Sequence, residues 1–299
     1  MKTKIAFWIA LGGALTALVL RCIQMLYFFN YETGFVTDSG VFTVAYCVLA
    51  LGAAAASGIL CRFDRSTLGA MRRGHNWAVG VATLFTALFL FFAAAVLIYD
   101  YMTYYATGGM TYYVEPLHVE ADFPFAIVTA VFGLASLISA VCWFRGKAYP
   151  GKAGALWAVA VLWGLYYMLI TFMTYSASAT IEENLFTVGG GALLVFYLLA
   201  EGKLISGIGR RKSARTVYAL GIPTAVLWLT YALSNTVLIV AGRGYVTEMP
   251  YILQLVMLAH CVRILALLLS FRRTNFLPAE RPEGFFRRAN PAKEGQAKA

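Results

Sequence analysis

The sequence predicts an all-α protein, a polytopic transmembrane helical bundle of about eight spans in four hairpins with both termini in the cytoplasm. Three observations carry that prediction. Of 299 residues, 61% are hydrophobic and only 13% charged, and the mean hydropathy is +0.72, beyond what the core of a water-soluble domain needs. The apolar residues gather into runs of about 20, which at about 1.5 Å per residue cross about 30 Å of hydrocarbon. The basic residues alternate from loop to loop. Helix is favoured over strand because the runs are long and continuous, whereas a membrane barrel alternates apolar with polar residues over about 10 positions.

Taken in order, the first run, 5–29, follows Lys2 and Lys4 as a secretory signal core would. It is too long for one, and no small-residue cleavage site follows Phe28 and Phe29, so it reads as an uncleaved anchor. Runs two and three, 40–61 and 77–99, are separated by Arg62, Arg65, Arg72 and Arg73. Run four, 123–144, ends before Arg145, Lys147 and Lys152. Runs five and six, 155–175 and 185–203, enclose Glu182 and Glu183, and Lys203, Arg210, Arg211, Lys212 and Arg215 follow. Runs seven and eight, 217–241 and 250–271, enclose a loop whose one base is Arg243. Twenty-one of the 24 lysines and arginines therefore fall on the amino terminus, alternate loops and the tail. The positive-inside rule makes that face cytoplasmic, and moving the count by one span would break the alternation.

Residues 1–271 form the transmembrane helical domain. The tail, 272–299, is polar, carries Pro278, Pro282 and Pro291, and is expected to be disordered. Its Arg287-Arg288 pair beside Phe285-Phe286 suits anionic lipid. The net charge of +10 thus points to membrane lipids, with anionic headgroups at the cytoplasmic face, and not to nucleic acid.

Internal similarities run through the hairpins. Gly34-Phe35-Val36-Thr37-Asp38 matches Gly244-Tyr245-Val246-Thr247-Glu248, Asp122-Phe123-Pro124-Phe125 resembles Glu248-Met249-Pro250-Tyr251, and Val161-Leu162-Trp163 matches Val226-Leu227-Trp228. An acid before a helix and a proline in its first turn cap it without any ligand. The repeats also suggest a pseudosymmetric bundle, running parallel where many transporter repeats are inverted. Small residues from Gly52 to Gly58 mark close helix approach, and Gly189-Gly190-Gly191 signals either close packing or a broken helix lining a cavity. Tyrosines from Tyr99 to Tyr113 read as an interfacial belt, or as a lid in the long loop between Asp100 and Asp122. Cys22, Cys47, Cys61, Cys142 and Cys261 form no C-x-x-C pair and read as small packing residues.

Ionisable groups deep in a membrane are costly, which makes them the first functional candidates. Arg21 and Gln24 lie three apart and share a face of span one. His260 and Arg263 do the same in span eight, and span seven offers Tyr231, Ser234 and Asn235. If these stripes converge they form an outward cationic, hydrogen-bonding cavity for a small polar or anionic ligand. The competing reading has each arginine pair with carbonyls or a boundary acid such as Asp100 and fix helix packing. No carboxylate falls in the middle of a span, since Glu201 stands near the cytoplasmic end of the sixth, which argues against transport coupled through a buried acid.

Catalytic chemistry has little to work with. His75, His118 and His260 fall at the inner face, the outer face and the middle, so they cannot share one metal ion. Neither a phosphate loop nor H-E-x-x-H nor a nucleophile elbow occurs, and no spacing singles out a serine or cysteine to partner His260. No metal, cofactor or catalytic residue is expected.

Leu20-Arg21 with Gln24, followed by Glu32-Thr33-Gly34, resembles the start of uncharacterised multi-pass membrane proteins of Clostridia-like bacteria, over residues 11–40. The resemblance implies a bacterial inner membrane and brings no assigned activity. The sequence leaves two functions in contest: a transport or ligand-sensing component, and a noncatalytic assembly or scaffold partner.

Overall fold

The computed structural model describes residues 2–30, 35–64, 75–107, 116–146, 156–174, 181–205, 210–243 and 249–270. Among these, nine helices account for most of the chain: α1 Lys2–Tyr27, α2 Val41–Arg62, α3 Trp77–Ala106, α4 Pro116–Arg145, α5 Leu156–Thr174, α6 Ile181–Asn184, α7 Gly190–Ile205, α8 Arg210–Val240 and α9 Tyr251–Ser270. A two-residue antiparallel ladder joins β1 Phe29–Asn30 to β2 Phe35–Val36, with Phe29 opposite Val36. The tail, Gly34 and 244–248 of the loop repeats, and Tyr112 and Tyr113 lie outside the described residues.

By length and composition, seven of the described helical segments can cross a membrane: α1, α2, α3, α4 from Glu120, the stretch Leu185–Ile205, α8 from Ser213, and α9. The fifth apolar run, Trp157–Met173 in α5, is shorter. This is the architecture of a multi-pass membrane protein. Several helices outrun their apolar stretches: α3 continues past residue 99 to Ala106, α4 begins at Pro116 and not near 123, and α8 begins at Arg210 and not near 217. Hydropathy marks where hydrocarbon ends, but the backbone ladder keeps satisfying itself into the interface. In α4 the start falls on a proline, whose missing N–H costs nothing in the first turn.

The helices divide into a ring and a pair. α8 packs on α7 and α9, α7 on α5, α5 on α4, α4 on α3, and α3 on α9, which closes a six-helix ring. α1 packs on α2, and both lean on α8. Burial follows this plan, since the apolar window of α8 is 72% buried and that of α1 only 28%. Small residues let the pair approach: Ala10, Ala14 and Ala17 of α1 and Ala50, Ala53 and Ala54 of α2 are all buried, and a side chain at Gly13 would collide with Ala53. Close backbone approach of this kind is how helices associate where lipid removes the hydrophobic incentive. At Gly58 the approach serves a second purpose. Pro223 inside α8 lacks the N–H that would bond the Ala219 carbonyl, and Gly58 lies against that carbonyl and the proline ring.

One end of the bundle is tied across helices by polar contacts. The Thr3 backbone N–H and hydroxyl both donate to Asp64 Oδ2 at 2.7 Å, so a buried carboxylate just past α2 caps the first turn of α1. The Asn76 N–H donates to the Trp143 carbonyl, Tyr218 OH to the Leu268 carbonyl, and Arg62 to Thr216.

Candidate functional site

α1 carries Arg21 to the meeting point of four chain segments, where its side chain is 2% exposed. Nε donates to Ser234 Oγ of α8 at 3.0 Å, Nη1 to Tyr46 OH of α2 at 3.0 Å, and Nη2 to Glu183 Oε1 of α6 at 3.4 Å. Three rings surround the guanidinium, those of Tyr231, Tyr46 and Phe186, at 5.2, 5.4 and 6.0 Å from Cζ. The rings of Tyr46 and Phe186 stack on each other. A guanidinium suits this place because its fork serves several acceptors while its faces meet aromatic rings. Arg21, Tyr231 and Ser234 therefore converge as their stripes predicted. The acid that meets Arg21 is Glu183, not Asp100: Glu183 sits at the start of the sixth apolar run, on the helix that α8 brings alongside.

Gln24 and Asn235 face other partners. Gln24 Nε2 donates to Thr43 Oγ1 at 2.7 Å and to Asp38 Oδ2 at 3.2 Å, and Asp38 also caps α2 through the Phe42 N–H. Asn235 Nδ2 donates to Gln254 Oε1 of α9 at 3.2 Å.

The predicted union of Arg21 with His260 and Arg263 in one cavity is corrected by the structure. Arg263 forms a fork with Glu201, Nη1 to Oε1 at 2.6 Å and Nη2 to Oε2 at 2.9 Å, and its guanidinium lies over Trp157. Glu183 and Glu201 belong to one continuous helical rod, so their separation of 18 positions places the two arginines about 27 Å apart along it at about 1.5 Å per residue. The sequence reading missed the Arg263 partner. A signal existed, because Glu201 lies four and Arg263 seven positions before helix ends that face the same side, Ile205 and Ser270.

His260 occupies the space between. Its ring stacks on Trp163 at 5.2 Å and meets Phe132 and Trp228 at 5.6 and 6.2 Å. Nδ1 donates to the Val256 carbonyl at 3.1 Å, and Nε2 is buried without a hydrogen-bond partner among the described residues. Among the described residues no serine, cysteine or acid hydrogen-bonds to that nitrogen. Trp163 and Trp228 are the last residues of the two Val-Leu-Trp repeats, so the repeat marks one aromatic cluster closing on one imidazole.

The triple glycine does not interrupt the rod. Leu185–Gly189 forms a π-helical turn, and Gly190 continues in right-handed helical geometry into α7. A side chain at Gly190 would run into the indole of Trp228. The glycine thus lets a tryptophan lie against the α7 backbone, the close-packing alternative, while the wide turn is of a kind often found at functional sites.

No protein-family model matches the chain, no curated protein matches its sequence, and no solved structure matches its fold.

Proposed function

We propose that the protein is a transport or ligand-sensing component of a bacterial inner membrane, in which Arg21 is the binding group for a small anionic or polar ligand and Glu183 holds that place when the ligand is absent. The observation that carries this reading is where Arg21 is held. Four chain segments converge on it, and a carboxylate stands 3.4 Å from its Nη2, next to a π-helical turn. An incoming anion would exchange with a carboxylate so placed, and the exchange would move α6 relative to α1 and α8.

In this reading the chain crosses eight times in four hairpins, α1 with α2, α3 with α4, α5 with α7, and α8 with α9. The 19 residues of α5 span about 28 Å, close to the hydrocarbon thickness of about 30 Å. Both termini lie on the cytoplasmic face. Lys2, Arg62, Arg145, Lys203 and Arg210 stand at the helix ends on the side tied by Thr3–Asp64 and Arg62–Thr216, which supports a single basic surface against anionic headgroups. The Clostridia-like resemblance near Arg21 supports the bacterial assignment.

The burial of Arg21 favours a second reading, a noncatalytic assembly or scaffold partner whose polar residues only bind helices together. Thermal unfolding of purified protein in detergent, with and without inorganic phosphate or short carboxylates, separates the two. Stabilisation of the wild type that is lost in a folded Arg21→Leu variant supports ligand binding. No anion effect on the wild type, together with loss of folding in Arg21→Leu, supports the scaffold.

A further inference from the structure

Beside the Arg21 cluster a groove of about 740 Å³ runs along the outside of the bundle, within the range of about 300–1,000 Å³ typical of small-molecule sites. It exists because α2 and the α6–α7 rod both pack on α8 and leave a cleft between them. Val44, Cys47 and Val48 of α2 form one wall, and Phe172, Leu185 and Val188 the other. Val44, Val48 and Phe172 are more than half exposed on helices whose composition suits lipid, so hydrocarbon is the medium that meets them.

Three features set this groove apart from an ordinary lipid-facing surface. Its polar residues are confined to one end, where Thr43 and Asn184 line it and Gln24 and Asp38 stand behind Thr43. Leu51 lies eight positions further along α2, about 12 Å deeper, with only apolar lining between. Neither Arg21 nor Glu183 lines the groove, and the stacked rings of Tyr46 and Phe186 lie against the Arg21 guanidinium. By contrast, the groove between α1 and α9 on the other flank of α8 holds about 270 Å³ and is lined by apolar residues throughout, among them Phe7, Ala14, Ile222 and Leu265. It has no such polar mouth.

We propose that the groove between α2 and the α6–α7 rod is a specific lipid site, which seats one hydrocarbon chain of a membrane phospholipid from the leaflet on the Asp38 and Glu183 side, with the glycerol region at Thr43 and Asn184. An amphipathic slot with hydrogen-bonding groups at one end and hydrocarbon walls below matches a phospholipid in both order and orientation. The site needs only the membrane location, and it stands whether or not Arg21 takes an anion.

The test uses the full-length protein in phosphatidylcholine vesicles containing a phosphatidylglycerol with a photoreactive group on its acyl chain. After illumination, peptide mass spectrometry maps the adducts. Labelling of residues 43–51 and 184–189 should exceed, several-fold, that of residues 85–92 of α3, whose Phe85, Leu88 and Phe92 are equally lipid-exposed. Val48→Trp, a change at an exposed position that fills the slot without entering the core, should lower groove labelling several-fold, whereas Phe92→Trp should leave it unchanged. Labelling spread evenly over all lipid-facing segments, or groove labelling unaffected by Val48→Trp in a protein that elutes like the wild type, overturns the proposal.

Discussion

Arg263 meets Glu201 through Nη1 and Nη2, at 2.6 and 2.9 Å, while Arg21 reaches Glu183 through Nη2 at 3.4 Å and also donates to Ser234 and Tyr46 at 3.0 Å. Both arginines are buried to the same degree, and both pair with acids on one rod, so burial alone does not set how tightly a charge is held. What differs is the surroundings. Arg263 has an acid and an indole against it, and the fork sets both carboxylate oxygens on its two terminal nitrogens, while Nε is left without a hydrogen-bond partner among the described residues. Arg21 is shared among a carboxylate, two hydroxyls and three rings. The inner pair therefore behaves as a clasp and the outer one as a contact that can be exchanged.

The largest expected effect tests the clasp. Glu201→Ala leaves Arg263 buried and uncompensated and should lower stability by about 3–5 kcal/mol, read as a drop in the unfolding midpoint in detergent. Glu201→Leu combined with Arg263→Met should recover most of that loss, because apolar replacement of a whole buried pair is often neutral. Glu183→Gln removes one charged hydrogen bond from a guanidinium that keeps its other contacts, and about 1.5–3 kcal/mol is expected. A loss equal to that of Glu201→Ala would erase the distinction between the two ends.

Two smaller changes sharpen it. Gly190→Ala drives a methyl into Trp228 on the rod between the two acids and should cost about 1–3 kcal/mol by overpacking, with Gly189→Ala, whose added carbon meets only ordinary contacts, as the comparison in the same unfolding assay. Asp64→Ala removes a carboxylate that accepts two hydrogen bonds from the start of α1. Its loss should match that of a helix cap, about 0.5–2 kcal/mol, and hydrogen exchange should show it confined to the first turn of α1.

The membrane architecture was legible because hydrocarbon forces every backbone group into a helix, and that constraint writes itself into the length of apolar runs. Arg21, Tyr231 and Ser234 were legible as well, since a shared helical face needs only spacing. Their acid was not. Glu183 stands before an apolar run, where a carboxylate has a sufficient local reason to exist as a cap, and only the placement of α6 against α1 and α8 gives it a second role. Glu201 was hidden in a similar way, by its nearness to a boundary. The grouping of Arg21 with His260 and Arg263 in one cavity failed because a shared side of the bundle is not a shared depth, and the acids that meet the two arginines stand 18 positions apart on one rod. Asp64 gave no local signal, because its partner lies 61 positions away at Thr3.

The indoles around the two inner groups have a practical consequence. Trp157, Trp163 and Trp228 are sealed in the ring beside Arg263 or His260, whereas Trp8 and Trp77 face outward. Brominated acyl chains extinguish emission from the lipid-facing pair on contact, so the residual light comes chiefly from indoles sheltered in the bundle and serves as an intrinsic gauge of ring integrity without any attached dye.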